Sequence, residues 1–245
     1  MGSSADWAPV AQNLDSGRRC FCPDLPGHGA CPVNAGADMA ATSKMLFREL
    51  DKHGIEKCAL VGYSMGGRVA LHLAIQRPER FSSLILESAS PGIADPQARL
   101  ERRKQDEELA GKLVRLYQHE AGFYDFLDAW YRQPLFDTWS ESPALMQRVI
   151  ARRLHNDPRA LAAALLGLGV GAQPSLWTRL SAMELPVLLI TGTKDSKFTA
   201  IAEAMTDVLP CARHERFQAC SHCVHEETPE QFASVVERFL HETRA

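Results

Sequence analysis

Val61-Gly62-Tyr63-Ser64-Met65-Gly66-Gly67-Arg68 is the stretch on which the fold of this chain turns. Just before it, Cys58 to Val61 is a short apolar run bounded by charge, the pattern of a strand buried in a sheet. From Gly66 onward Val69, Ala70, Leu73 and Ala74 recur at helical spacing. Ser64 therefore sits at a strand-to-helix corner. Gly62 and Gly66 lack the β-carbons expected to collide in so tight a turn, leaving the Ser64 hydroxyl exposed above the sheet. An unassisted serine is a poor base and a poor nucleophile, so the corner predicts a histidine and an acid further along the chain.

Reading outward from the corner, strands and helices alternate. Ala5 to Leu14 has the apolar face of a helix (Trp7, Val10, Leu14), Arg19 to Cys22 reads as a strand, and Asp24-Leu25-Pro26-Gly27-His28-Gly29 as a turn-forming loop. Asp38 to Lys52 is a predicted helix ended by Gly54, and Lys57 to Val61 is the strand entering the corner. Beyond it, Ser83 to Leu86 and Val187 to Thr191 are apolar strands, Thr199 to Leu209 is helical, Arg213 to Phe217 is a last strand, and Thr228-Pro229-Glu230-Gln231 opens a terminal helix with capping-box spacing. This order implies an α/β fold: a mostly parallel sheet with helices on both faces. Residues 95 to 180 carry no strand pattern and many arginines, and Ser142-Pro143 and Asp157-Pro158 are N-cap and first-turn pairs. The expected organisation is a core of residues 1–94 and 181–245, with 95–180 as a helical lid.

Two downstream residues answer the demand made by Ser64. Asp195 follows a buried strand and His222 precedes the last helix, so both are expected at the sheet edge that carries the serine. Asp195 would fix the imidazole tautomer and His222 would take the serine proton. Asp195 also suits a helix cap, Asp207 is a rival acid, and His225 a rival base. His28 reads as a loop or pocket residue. Cys220-Ser221-His222-Cys223-Val224-His225 packs four potential ligands into six residues, too close in sequence to surround one tetrahedral ion easily, so no metal is expected.

Size and composition limit the function classes. With 245 residues and 45% hydrophobic content, the chain can bury a full α/β core. A net charge of -3 gives no drive toward nucleic acid or an anionic membrane, and no spanning segment or signal pattern is apparent. Seven cysteines in no regular framework fit reduced thiols, and a cytoplasmic enzyme is the expectation.

Several segments together resemble one family: Leu60 to Ala70, Asp24 to Gly29, Trp130-Tyr131-Arg132-Gln133-Pro134-Leu135-Phe136 and Gly192-Thr193-Lys194-Asp195-Ser196-Lys197-Phe198. They look like the 2-succinyl-6-hydroxy-2,4-cyclohexadiene-1-carboxylate synthases of menaquinone and phylloquinone biosynthesis, lyases on the α/β-hydrolase fold that need no cofactor. The resemblance implies that the chain eliminates pyruvate from 2-succinyl-5-enolpyruvyl-6-hydroxy-3-cyclohexene-1-carboxylate, with Ser64 as base and His222 and Asp195 behind it. By the same resemblance Arg68, Arg102 and Arg153 hold substrate carboxylates, Tyr63 and Trp130 line the pocket, and the Met65 N–H is one oxyanion donor. Independently of any family, forked guanidinium groups suit a small polycarboxylate. Arg102 also has the i,i+4 spacing of a surface pair with Asp106, Arg152 is an alternative to Arg153, and Trp130 suits a core as well as a pocket wall.

Family members carry an N-terminal strand and a His-Gly-Phe loop before the segment that here reads Gly2-Ser3-Ser4-Ala5-Asp6-Trp7. The missing N-terminal strands and second oxyanion donor are expected to lower stability or to be offset by a new contact, with a donor near Gly2 one replacement. The triad alone also serves a hydrolase of esters, thioesters or C–C bonds, and a catalytically impaired binding protein is the third reading.

Overall fold

The computed structural model describes residues 1–33, 37–117 and 120–243. Four strands, β1 (Cys58–Tyr63), β2 (Phe81–Glu87), β3 (Val187–Gly192) and β4 (Ala212–Phe217), form a parallel sheet in the order β1-β2-β3-β4. Because neighbours are parallel and consecutive, every crossover returns to the same starting edge, and all four strands end at one edge of the sheet. That edge collects the residues after Tyr63, Glu87, Gly192 and Phe217.

The chain divides into two compact units. One comprises Trp7–Phe21, Ser43–Pro91 and Ser175–Ala245 and holds the whole sheet. In it α1 (Ala8–Asn13) lies against the terminal helix α10 (Pro229–Glu242). Val10, Phe232, Val236 and Phe239 close over Ile85, Leu188, Ile190 and Phe217 in a buried cluster. Side chains alternate along a strand, so Leu84 and Leu86, almost wholly buried, serve the opposite face. There α3 (Met65–Gln76) packs on β1 and β2, while α8 (Ser196–Thr206) packs on β3 and β4. Strands buried on both faces explain why β2 and β3 read as unbroken apolar runs.

The other unit comprises Met1–Asp6, Cys22–Thr42 and Gly92–Pro174. Its helices are α4 (Pro96–Leu116), α5 (Glu120–Tyr131), α6 (Pro143–Arg153) and α7 (Pro158–Leu168), with α4 against α7 and α5 against α6. Tyr131, Phe136 and Trp139 pack with ring centroids 4.9 to 5.1 Å apart. Helix α2 (Met39–Lys52) begins in this unit and ends in the sheet unit. Asp38 accepts the Ala41 N–H at its start (2.8 Å) and Gly54 follows its end at φ +64°.

Four local expectations are corrected. Cys58 to Val61, expected as a buried strand, forms β1 at the end of the strand order, where most of its residues are half-buried and Val61 is exposed. Residues 19–22 form no strand, because no described segment pairs with them and an extended run needs a ladder partner to satisfy its amides. Ser142 precedes α6 without a side-chain cap, in contrast to Asp157, which accepts the Arg159 N–H at 2.8 Å. Thr228 also forms no capping box; its hydroxyl donates to the Val224 carbonyl at 3.3 Å.

Candidate active site

Ser64 joins β1 to α3 with φ +49° and ψ -109°, a conformation a non-glycine residue holds only when its surroundings impose it. The surroundings here are two hydrogen bonds: the Ser64 N–H donates to the Glu87 carbonyl at 2.8 Å, and the Ser64 carbonyl accepts the Arg68 N–H at 3.0 Å. Close approach also requires small residues. A β-carbon on Gly62 would lie 2.6 Å from the Gly66 carbonyl oxygen, and one on Gly67 would lie 2.6 Å from the Ala89 β-carbon. Gly66 differs from expectation, because a β-carbon there meets nothing within 4 Å. The crowded pair is thus Gly62 and Gly67, since it is the Gly66 main chain and not its α-hydrogen that faces the strand.

His222 lies between β4 and the short helix α9 (Val224–Glu227), with its Nε2 3.1 Å from Ser64 Oγ and its Nδ1 2.7 Å from Asp195 Oδ2. Asp195 and His222 are both buried, so little water competes for these bonds. Asp195 does two jobs: its Oδ1 also accepts the Phe198 N–H at 3.1 Å, capping α8. One carboxylate thus caps a helix and pairs with the histidine. Phe198, in the first turn of α8, packs against the imidazole with a centroid separation of 4.5 Å. Gly192 ends β3 where a β-carbon would strike the carbonyls of Cys220 and Ser221, so glycine lets the histidine loop close on the acid strand.

The rival residues are otherwise occupied. Asp207 is exposed at the C-terminal end of α8. His225 Nδ1 is 2.7 Å from Glu87 Oε2, and its backbone N–H donates to Glu87 Oε1 at 3.1 Å. Burial opposes a charge on His225, but the Cys223 sulfur and the Glu87 carboxylate outweigh it and hold its pKa well above the usual imidazole value. Glu87, Cys223 and His225 offer ligand atoms within 4.8 Å of one another. Both carboxylate oxygens of Glu87 already accept hydrogen bonds, so the group is accounted for without an ion. Sequence reading missed Glu87; its signal was a lone acid closing the apolar run Leu84 to Leu86.

Tyr63 packs 5.2 Å from the His222 ring and 5.0 Å from that of His225. Met65 opens α3, where helix geometry leaves its N–H without an intrahelical acceptor. Arg68 lies one turn further along the same helix.

In the other unit, Arg102 Nε donates to Asp106 Oδ1 at 2.8 Å, the i,i+4 pair its spacing allowed. Asp106 also accepts the Gly171 N–H at 3.3 Å. Trp130 is half-buried, stacked 6.0 Å from Phe126. Arg153 is only 3% exposed; it donates to the Tyr131 hydroxyl at 3.1 Å and forms an ion pair with Asp6. Arg152 shares the same carboxylate at 3.0 Å. Burial pushes the Asp6 pKa up, but the charge and hydrogen bond of Arg153 more than reverse this, leaving it below the usual carboxylate value. The first amides are engaged as well: the Ser3 N–H donates to Asp6 at 2.7 Å and the Ser4 N–H to Asp24 at 2.6 Å.

Comparison with known proteins adds the family. The model of the α/β hydrolase fold matches residues 1–229. The 2-succinyl-6-hydroxy-2,4-cyclohexadiene-1-carboxylate synthase of Salmonella newport (strain SL254) is 35% identical over 231 residues, 93% of this chain and 85% of that protein. A stretch of Protein PHYLLO, chloroplastic, of Arabidopsis thaliana is 29% identical over 257 residues, 98% of this chain and 15% of that protein. The structure of MenH from S. aureus superimposes with a TM-score of 0.91 at 33% identity, covering 99% of this chain and 91% of that one. The serine corner, the hydrogen-bonded Asp195 and His222, and these matches along nearly the whole chain make it a member of the 2-succinyl-6-hydroxy-2,4-cyclohexadiene-1-carboxylate synthase family within the α/β hydrolases.

Proposed function

We propose that the chain is the pyruvate-eliminating lyase of menaquinone and phylloquinone biosynthesis, using Ser64 as base. The observation that carries the reading is the continuous chain from Asp195 Oδ2 through His222 to Ser64 Oγ, at 2.7 and 3.1 Å. The Asp195 carboxylate accepts a hydrogen bond from the Nδ1–H, which keeps the proton on Nδ1 and leaves the Nε2 lone pair facing the serine hydroxyl. Ser64 gives its proton to His222 and, as alkoxide, takes the proton from the carbon beside the succinyl ketone. The electron pair left on C2 forms a double bond to C3, the existing ring double bond shifts from C3–C4 to C4–C5, and the C5–O bond to the enolpyruvyl group breaks. The departing enolate takes up a proton and tautomerises to pyruvate, so no water is consumed and no acyl-enzyme forms.

Negative charge builds on the ketone oxygen during proton removal, and the N–H of Met65 at the start of α3 is the proposed donor to it. Arg68, Arg102 and Arg153 are the proposed carboxylate partners, with Tyr63 and Trp130 as apolar walls. For Arg153 the buried Asp6 contact means that a substrate carboxylate would share or replace an existing anion. The substrate is a small polycarboxylate and the setting proposed is the cytoplasm; among the described residues no helix is long and apolar enough to cross a membrane.

A pyruvate-release assay with purified chain and the enolpyruvyl substrate tests the reading. Release abolished by Ser64→Ala is the expected result. Turnover of aryl esters with no pyruvate release would instead make the chain a hydrolase, and ligand binding indifferent to Ser64→Ala would make it a binding protein.

A further inference from the structure

We propose that Glu87 and His225 form a buried positioning pair that sets the distance between Ser64 and His222. Glu87 ends β2 directly opposite Tyr63 on β1, the residue before the serine. Its main-chain carbonyl accepts the Ser64 N–H at 2.8 Å, so the Glu87 backbone is already part of the serine corner. Its side chain, fully buried, turns the other way into the histidine loop. There Oε1 accepts the His225 backbone N–H at 3.1 Å and Oε2 faces His225 Nδ1 at 2.7 Å. One residue therefore ties the nucleophile to the segment three positions beyond the general base.

The imidazole of His225 is held from its other sides as well. Trp7 stacks on it at 4.4 Å with the ring planes 8° apart, and Tyr63 meets it edge-on at 5.0 Å. Tyr63 also touches His222, so the two histidines share one aromatic wall. A buried carboxylate is tolerated only when its oxygens are satisfied, and here both are bonded to the loop that carries the base. A merely stabilising ion pair could sit anywhere in the core. This one joins the two main-chain segments whose separation fixes the 3.1 Å contact between His222 and Ser64. Proton transfer is steeply sensitive to such placement, a misplacement of about 1 Å costing about 100-fold in rate.

The pair is a positioning device for the reaction proposed above and rests on that reading only for its kinetic readout. The test uses His225→Asn, which keeps a donor near the Nδ1 position, His225→Phe, which keeps the ring and its stacking, and Glu87→Gln. Expected are a kcat for pyruvate release about 10- to 100-fold lower in His225→Phe and Glu87→Gln, KM within about threefold, and partial recovery in His225→Asn. The downfield proton resonance of the His222 Nδ1–H bond to Asp195 should move in the first two variants and stay near the wild-type position in His225→Asn. That resonance needs no substrate, so it reads the pair even where wild-type chain releases no pyruvate. A folded His225→Phe with wild-type kcat and resonance would overturn the proposal. Loss of fold in all three variants would also overturn it, assigning the pair to stability alone.

Discussion

Asp195→Asn separates the two roles of that carboxylate. Oδ1 accepts the Phe198 N–H at 3.1 Å and Oδ2 faces His222 Nδ1 at 2.7 Å, whereas asparagine has one acceptor for the two positions. If the amide oxygen keeps the cap on α8, its NH2 faces His222. The imidazole must then accept at Nδ1 and carry its proton on Nε2, pointing at the Ser64 oxygen 3.1 Å away. A histidine so arranged donates to the serine and takes nothing from it. If the oxygen turns to His222 instead, the NH2 meets the Phe198 N–H and a helix cap worth about 1 kcal/mol is lost. The first arrangement is therefore favoured. In a serine triad the same wrong tautomer lowers kcat about 10,000-fold, about 5.5 kcal/mol of barrier. Asp195→Asn should lower kcat for pyruvate release by that order while stability in urea changes by less than about 1 kcal/mol. A folded variant retaining more than a tenth of wild-type kcat would refute the relay from Asp195 through His222.

Gly62→Ala should lower the melting temperature and abolish activity, because its β-carbon would lie 2.6 Å from main-chain oxygen, whereas Gly66→Ala should match or exceed wild-type stability; equal melting temperatures for the two would contradict the packing described. Asp6→Ala leaves the buried Arg153 guanidinium without its anion and should cost about 3–5 kcal/mol in a urea titration. Burial lowers the His28 pKa to about 3, below that of an unfolded imidazole, so the unfolded chain binds more protons between those values. Stability should accordingly be lost as pH falls from about 6.5 toward 3, by on the order of 4 kcal/mol, and urea titrations of His28→Asn should show a shallower decline over that window.

The sequence by itself determined much of the fold and singled out the three residues that the structure brings into one hydrogen-bonded chain. Apolar runs at Ser83 and Val187 announced the buried strands β2 and β3, because parallel strands covered on both faces read as continuous hydrophobic segments, whereas the similar run at Cys58 belongs to β1, which ends the strand order and leaves Val61 exposed. Ser64 was marked by the change from strand to helix periodicity, and Asp195 and His222 by their places after strands of the same sheet. What local pattern misjudged was partnership. Arg19 to Cys22 has a strand-like composition, but a strand exists only through the neighbour it pairs with. Thr228 has a capping-box sequence, yet its hydroxyl finds a carbonyl instead.

Only the tertiary structure decided which of two histidines faces Ser64, because His222 and His225 are three residues apart and differ only in what the sheet brings to them. Ser64 and Asp195 converge on one, Glu87 on the other. It likewise decided that Gly67 and not Gly66 is the crowded glycine, and that Arg153 meets Asp6, 147 positions away in sequence. Periodicity reports which face of an element is buried. The partner waiting on that face is set by how distant elements pack, and that information lies in no local stretch of the chain.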